Sequence, residues 1–585
     1  MSETSLGRMV LDASERHGGA AIRFPRDGTW REWSYADLGT AVSELARGLV
    51  ALGLEPGDRV ALLGETRPEW TVADAAILAA GLVVVPVYHT NSPDECRYVV
   101  DHSGARAIVL EDAGQLAKID EVRDQLPGLE HVISMEPAGD TTTVDDLRAR
   151  AGEVEDAVLE ERLESVGTDD VATIVYTSGT TGPPKGCMLT HRNLLATGEA
   201  YRQQIDLKPG AVLFMFLPLA HVLARVVQMI SLEVGCTLAF WSGDSKRLVE
   251  DVGAASPTHF PSVPRVFEKI HARVLARGSE GSAVKQRLFA WAIATGRKAR
   301  PAMRAGTAST GIKTQYALAD RLVLSKVREV FGGRLELALT GAAPIPREVL
   351  EFLDACGITV LEGYGMTETT AAATLNPPHD PRFGTVGPAL PGFGMAIAED
   401  GEILLSGPNI FKGYHSNEEA TRDVFEGDAV RTGDLGEIED GYLRITGRKK
   451  DLIITSSGKN ISPTNIENAL RESRWISQAV VHGDNRSYLV ALLTLDPDEA
   501  ADLASELGVD GDVRAMAAHE RVREHLQSEV DQANAQFARI EQVKKFVVLE
   551  EDLSQEAGEL TPTMKVKRAV VERRYADTFD ALYDG

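Results

Sequence analysis

The chain has 585 residues, too many for one hydrophobic core, and is expected to divide into two or more domains. Hydrophobic residues at 43% and charged residues at 25% exclude wholesale disorder, and a formal net charge of -26 excludes a nucleic-acid partner bound across the general surface. The four cysteines, Cys96, Cys187, Cys236 and Cys356, lack CxxC spacing and a histidine cluster, which argues against a disulfide framework or a zinc site. The N-terminal MSETSLGRMVLDASERHGG lacks a basic-then-apolar signal pattern, and the most apolar stretch, 75–85, stops at Pro86, too short to span a bilayer. A cytoplasmic protein is expected.

From about residue 23 to 375, short β-branched runs alternate with alanine- and leucine-rich helical patterns: RVALLG from Arg59, LVVVPV from Leu82, ARAIVLE from Ala105 and VATIVY from Val171. Such alternation predicts βαβ units in mixed or parallel sheets. Directly after the last run comes YTSGTTGPPKG, residues 176–186. Gly179 and Gly182 open backbone angles closed to other residues, Thr177, Ser178, Thr180 and Thr181 supply hydroxyls, and Lys185 supplies a positive charge, so the loop is built to hold phosphate. It is not a Walker A loop, because Lys185 follows a proline and precedes a glycine.

Residues 281–319 contain no Asp or Glu but seven basic residues, Lys285, Arg287, Arg297, Lys298, Arg300, Arg304 and Lys313. Two readings stay open: a solvated helical face whose Leu288, Phe289, Trp291 and Ile293 turn to the core, or a peripheral contact with anionic lipid headgroups. Past Gly401 the sequence becomes strand- and turn-rich, and a smaller module begins after Asp451. It carries a helix pattern from Pro463, strand-like runs QAVVHG and YLVALLTLD, and a long helix expected from Val513 to about Ile540.

Further motifs follow one another in order: LPLAHVLAR from Leu217, SVPRVFEK from Ser262, TGAAP from Thr340, EGYGMTET from Glu362, RTGDLG from Arg431, TGRKKDLIITSSGKNISP from Thr446 and GELTPTMKVKR from Gly558. With the phosphate loop, they resemble the adenylate-forming acyl-CoA synthetases, specifically bacterial long-chain fatty acid:CoA ligases, over almost the whole chain. The resemblance implies an α/β fold with a large N-terminal domain (1–447) of mixed β-sheets and flanking helices plus a β-barrel-like subdomain, and a helical insertion at about 268–330. A hinge at 448–450 would lead to a small mobile α+β C-terminal domain (451–585).

The implied chemistry joins a medium- or long-chain fatty acid to ATP, giving acyl-AMP and pyrophosphate, then transfers the acyl group to CoA. By resemblance, the loop from Thr177 through Ser178, Gly179, Thr180, Thr181 and Gly182 to Lys185 holds the β- and γ-phosphates. Gly341, Ala342 and Ala343 let the base lie flat, Gly363, Tyr364 and Gly365 flank adenine, Thr367 meets the α-phosphate, and Glu368 ligates Mg2+. Asp434 and Arg448 hold the ribose, Lys450 is the hinge, and Lys565 enters as the catalytic lysine. His221, Val222 and Arg225 are placed by the acyl pocket, and Ser457 and Gly458 by the CoA tunnel. Arg265 and Phe267 belong to a stretch typical of long-chain members. Rival readings are a fatty acyl-AMP ligase that loads a carrier protein, an amide-forming ligase, and a nucleotide-binding adaptor with a dead site. Monomer and homodimer both fit the sequence.

Overall fold

The computed structural model describes residues 5–177, 183–456, 458–561 and 564–584. Two eight-stranded sheets organise the N-terminal part. In the first, the four runs expected as strands lie side by side and parallel, in the order Val171–Thr177, Val83–Tyr88, Arg59–Gly64 and Ala105–Leu110. Lys185–Thr190 returns antiparallel to Val171–Thr177, with Thr177 opposite Lys185, so the two strands that flank the expected phosphate loop pair at the edge of this parallel core.

The second sheet sets Val212–Met215, His259–Ser262, Leu337–Thr340 and Val360–Met366 in parallel, then turns back through Ala371–Leu375. One hydrophobic cluster joins the facing sides of the two sheets through the helices Tyr35–Ala51, Pro68–Ala79 and Val222–Val234. Every residue of Pro68–Ala79 except Glu69 is buried, as expected of a helix apolar on all faces.

The outer side of the second sheet is covered by the helical insertion, which runs as Pro264–Ser279, Ala283–Arg304 and Thr310–Ala319. At Gly296 a Cβ would come within 2.2 Å of the Ala355 carbonyl oxygen, so only glycine permits this helix crossing. The apolar face expected of Ala283–Arg304 is only partly right. Ile293 is buried, Leu288 and Phe289 are half-buried, and Trp291 is 36% exposed, because the buried stripe is Ala292, Ile293, Gly296 and Ala299.

Five strands between Gly394 and Arg448 form an antiparallel sheet in which Ala429–Glu439 pairs with Glu402–Ser406 on one side and with Phe425–Glu426 and Tyr442–Arg448 on the other. Among the described residues no pairing closes these strands into the barrel-like form expected. The chain leaves through a short turn, Lys449–Asp451, into a module built on the strands Ile476–His482, Leu489–Leu495 and Val543–Val548. The long helix expected there breaks into Val513–Ala518 and Glu520–Asn534. His519 is extended and recaps the second helix through Arg521 N, and the Asn534 side chain exchanges two hydrogen bonds with the Val543 backbone, which turns the chain into the strand.

Candidate active site

Sequence makes the hairpin Val360–Met366 to Ala371–Leu375 unusually tight. A Cβ at Gly365 would lie 1.9 Å from the Ala371 carbonyl oxygen, and Thr370 and Ala371 both adopt positive φ. Between them the turn Thr367–Thr369 presents Thr367 and buries Glu368, which is 6% exposed. Tyr414 Oη donates to Glu368 Oε1 at 2.7 Å, and the Cys187 thiol is raised by burial and then by the Glu368 charge. The Lys185 ammonium stands 4.8 Å from the centre of the same Tyr414 ring. Tyr414 thus links the lysine of the phosphate loop to the carboxylate of EGYGMTET, a role the sequence gives no sign of. Ser178, Gly179, Thr180, Thr181 and Gly182 lie outside the described residues, while Thr177 and Lys185 anchor the ends of their loop.

A second cluster forms on the neighbouring antiparallel sheet. Asp434 and Arg448 are direct cross-strand partners, and Arg448 Nε donates to Asp434 Oδ1 at 3.0 Å. Tyr364 Oη donates to Asp434 Oδ2 at 2.6 Å, and burial, followed by the Asp434 charge, lifts the tyrosine pKa well above its ordinary value. Gly341, Ala342 and Ala343 follow the strand Leu337–Thr340. Ala342 holds φ 68°, and a Cβ at Gly341 would sit 3.2 Å from the Gly363 carbonyl, so the two loops approach backbone to backbone.

Lys565 comes from the C-terminal module, on a turn tied by Thr561 N to the Lys565 carbonyl at 2.8 Å. It keeps solvent-accessible surface, yet surrounding protein strips enough hydration to lower its pKa. Arg448 lowers it further, while Asp434 and Glu368 act in the opposite sense. His221 caps the Val222–Val234 helix by accepting from Leu223 N at 3.2 Å, and its pKa falls to about 4 through burial and then the Lys565 charge, so its imidazole is neutral at pH 7.

Val222 and Arg225 face the core. Arg225 is 1% exposed and donates to Asp74 Oδ1 and Thr173 Oγ1, both at 2.6 Å, while Gln228 completes the carboxylate at 2.9 Å. The expectation that Arg225 lines an acyl pocket therefore gives way to a buried ion pair that ties the Val222–Val234 helix to Pro68–Ala79, with the Thr173 hydrogen bond adding a link to the strand Val171–Thr177. Lys449 Nζ reaches Asp400 at 2.6 Å and Glu402 at 3.1 Å, so Arg448 and Lys449 are both anchored to the N-terminal part just before Lys450. Gly458 turns between Ile453–Ile454 and Asn460–Ile461 with φ 80°, and Ser457 lies outside the described residues.

Glu362, inside the strand Val360–Met366, was missed as a titrating group. Burial lifts its carboxyl pKa to about 8, and the carboxyl accepts from Gly384 N at 3.3 Å. Among the described residues no group of three or more His, Cys, Asp or Glu side chains could cage a metal ion. Glu368 alone fits an ion that takes most of its ligands from water and phosphate oxygens.

Glu368, Asp434 and Arg448, from segments far apart in sequence, thus lie within electrostatic reach of Lys565. The family model described as AMP-binding enzyme matches residues 12–415, and that of the AMP-binding enzyme C-terminal domain matches residues 450–585. The chain is an AMP-binding enzyme. It is 38% identical to the long-chain-fatty-acid–CoA ligase FadD15 of Mycobacterium bovis over 95% of this chain and 93% of that protein. It is 33% identical to the peroxisomal long chain acyl-CoA synthetase 7 of Arabidopsis thaliana, over 98% of this chain and 84% of that protein. The crystal structure of the anthranilate CoA ligase AuaEII in complex with anthranoyl-AMP superposes on this AMP-binding enzyme with a TM-score of 0.76 at 19% identity, covering 100% of this chain and 99% of that one, which speaks for the fold alone. No described helix is long and apolar enough to cross a membrane.

Proposed function

We propose that this AMP-binding enzyme activates a medium- or long-chain fatty acid with ATP to acyl-AMP and then transfers the acyl group to CoA, releasing AMP and pyrophosphate. The observation that carries this reading is the placement of Lys565, from the C-terminal module, within electrostatic reach of Glu368, Asp434 and Arg448. The relatives named long-chain-fatty-acid–CoA ligase and long chain acyl-CoA synthetase supply the substrate class.

In the first step a carboxylate oxygen attacks the α-phosphorus and pyrophosphate leaves. Attacker and target are both anionic, and the Lys565 ammonium lies between them, lowering that repulsion. Thr367 donates to an α-phosphate oxygen, and Lys185 with the loop hydroxyls steadies the departing pyrophosphate. Asp434 accepts from the ribose hydroxyls and Arg448 orients it. Glu368 would hold Mg2+, which when bound neutralises phosphate charge. Neutral His221 does not add a second cation beside Lys565. In the second step the CoA thiol displaces AMP, after the C-terminal module turns about Lys450 and brings the Gly458 turn toward the thiol.

A peripheral contact with the inner face of the membrane is supported by Arg287, Trp291 and Lys298, exposed at helical spacing on Ala283–Arg304. The test of function is pyrophosphate release across acids from short to long, with and without CoA. Release with long-chain acids and CoA-dependent turnover is expected. CoA-independent loading of a carrier protein, or an amine outperforming CoA, would replace the ligase assignment, and activation of an aromatic acid alone would refute the substrate class.

A further inference from the structure

The helix Pro264–Ser279 starts inside SVPRVFEK and faces the C-terminal module. Arg265, Glu268, Lys269 and Arg273 recur at three- and four-residue spacing, which puts them on one side of the helix. Arg265 Nη2 donates to Asp496 Oδ2, and Lys269 Nζ donates to Asp498 Oδ2 at 2.6 Å. Asp496 follows the strand Leu489–Leu495 directly and its side chain is only 5% exposed, so the pair is held rigidly on the module side. The charges match in both senses. Asp498 has its pKa lowered by Lys269 first and by Arg273 and Arg265 after it, while half-buried Glu268, raised by lost hydration, is drawn back by Arg265 and by Arg471 of the module.

Each module has its own hydrophobic clusters, and among the described residues none of them includes side chains from both. Apolar burial therefore does not hold the two parts together. The docking that brings Lys565 within reach of Glu368, Asp434 and Arg448 depends on polar and ionic contacts.

We infer that Arg265 and Lys269 are positioning residues, an ionic latch with Asp496 and Asp498 that docks the C-terminal module for acyl-AMP formation. This rests on the reading of Lys565 given above. The latch acts through Lys565 and touches no substrate. Arg265–Asp496 supplies the desolvated, specific pair, and Lys269–Asp498, open to solvent, makes docking sensitive to salt.

All four native cysteines are buried, so cysteines introduced on exposed positions of the two modules, Lys208→Cys and Glu524→Cys, accept a donor–acceptor dye pair selectively. Energy transfer in the full chain reports docking without reference to catalysis. Arg265→Ala is expected to shift the transfer toward an open state, Arg265→Lys to restore most of it, and Lys269→Gln to weaken its salt dependence between about 0.05 and about 1 M NaCl. Pyrophosphate release should fall about tenfold in Arg265→Ala, while CoA transfer from supplied acyl-AMP changes less than about twofold. Asp496→Asn serves as the second variant should Arg265→Ala fold poorly. Transfer unchanged by both substitutions and by salt would overturn the latch. A latch that opens as expected in a protein releasing no pyrophosphate with any fatty acid would instead leave the latch standing and sink the functional reading.

Discussion

Replacing Asp434 with asparagine isolates the nucleotide side of the site. The carboxylate offers about four lone-pair positions, and the protein already uses two, for Tyr364 Oη at 2.6 Å and Arg448 Nε at 3.0 Å. The remaining two suit a vicinal diol. An asparagine there must turn its carbonyl oxygen to Arg448, which can only donate, and its amide nitrogen to Tyr364, whose oxygen can accept. One lone pair is then left for two ribose hydroxyls, so one charge-assisted hydrogen bond is lost, about 2 kcal/mol. The KM for ATP should rise about 30-fold, with the KM for the fatty acid within about twofold. The assay is initial-rate pyrophosphate release with each substrate varied in turn, alongside a melting curve. An ATP KM that moves less than about threefold, or a fatty acid KM that rises with it, would refute the assignment of Asp434 to the ribose.

Gly365→Ala should destabilise the protein by more than about 2 kcal/mol, read as a lowered melting temperature, because its Cβ meets the Ala371 carbonyl oxygen at 1.9 Å. Glu362→Gln should stabilise the fold, and more so at pH 8 than at pH 5. The native carboxyl has its pKa raised to about 8, so the native state binds the extra proton and wild-type stability falls as pH rises from about 4.5 towards 8, by up to about 3 kcal/mol near pH 7. His191 works in the other direction. Its Nδ1 accepts from Leu6 N at 3.1 Å and burial lowers its pKa to about 4, so its contribution is present above about pH 6.5 and lost as pH falls towards 4. Denaturant titrations of His191→Gln should show a shallower loss between pH 7 and pH 5 than wild type, and an unchanged slope would contradict the burial argument.

The strands from Arg59, Val83, Ala105 and Val171 were legible because parallel strands buried on both faces read as continuous β-branched runs. Glu368, Asp434, Arg448 and Lys565 could be picked out through their motifs, whereas their convergence depends on pairings across the sheet and between modules that no local pattern encodes. Asp74 carried a faint signal, a single acid within the apolar WTVADAAILAA, since a buried carboxylate in such a helix needs a cation. Its partner Arg225 was noticed but placed beside the acyl chain, because spacing alone does not tell which side of the Val222–Val234 helix meets the core. Tyr414 and Asp496 sit in ordinary turn sequences and acquire their roles only when distant elements pack. The break at His519 was hidden by helix-forming residues on both sides of it.

The central claim, that a lysine on the C-terminal module drives acyl-AMP formation, is tested most directly by measuring the two half-reactions of Lys565→Ala separately. Pyrophosphate release from ATP and a long-chain acid should be lost, while transfer to CoA from supplied acyl-AMP is largely retained. Equal loss of both half-reactions, or retained pyrophosphate release, would contradict it.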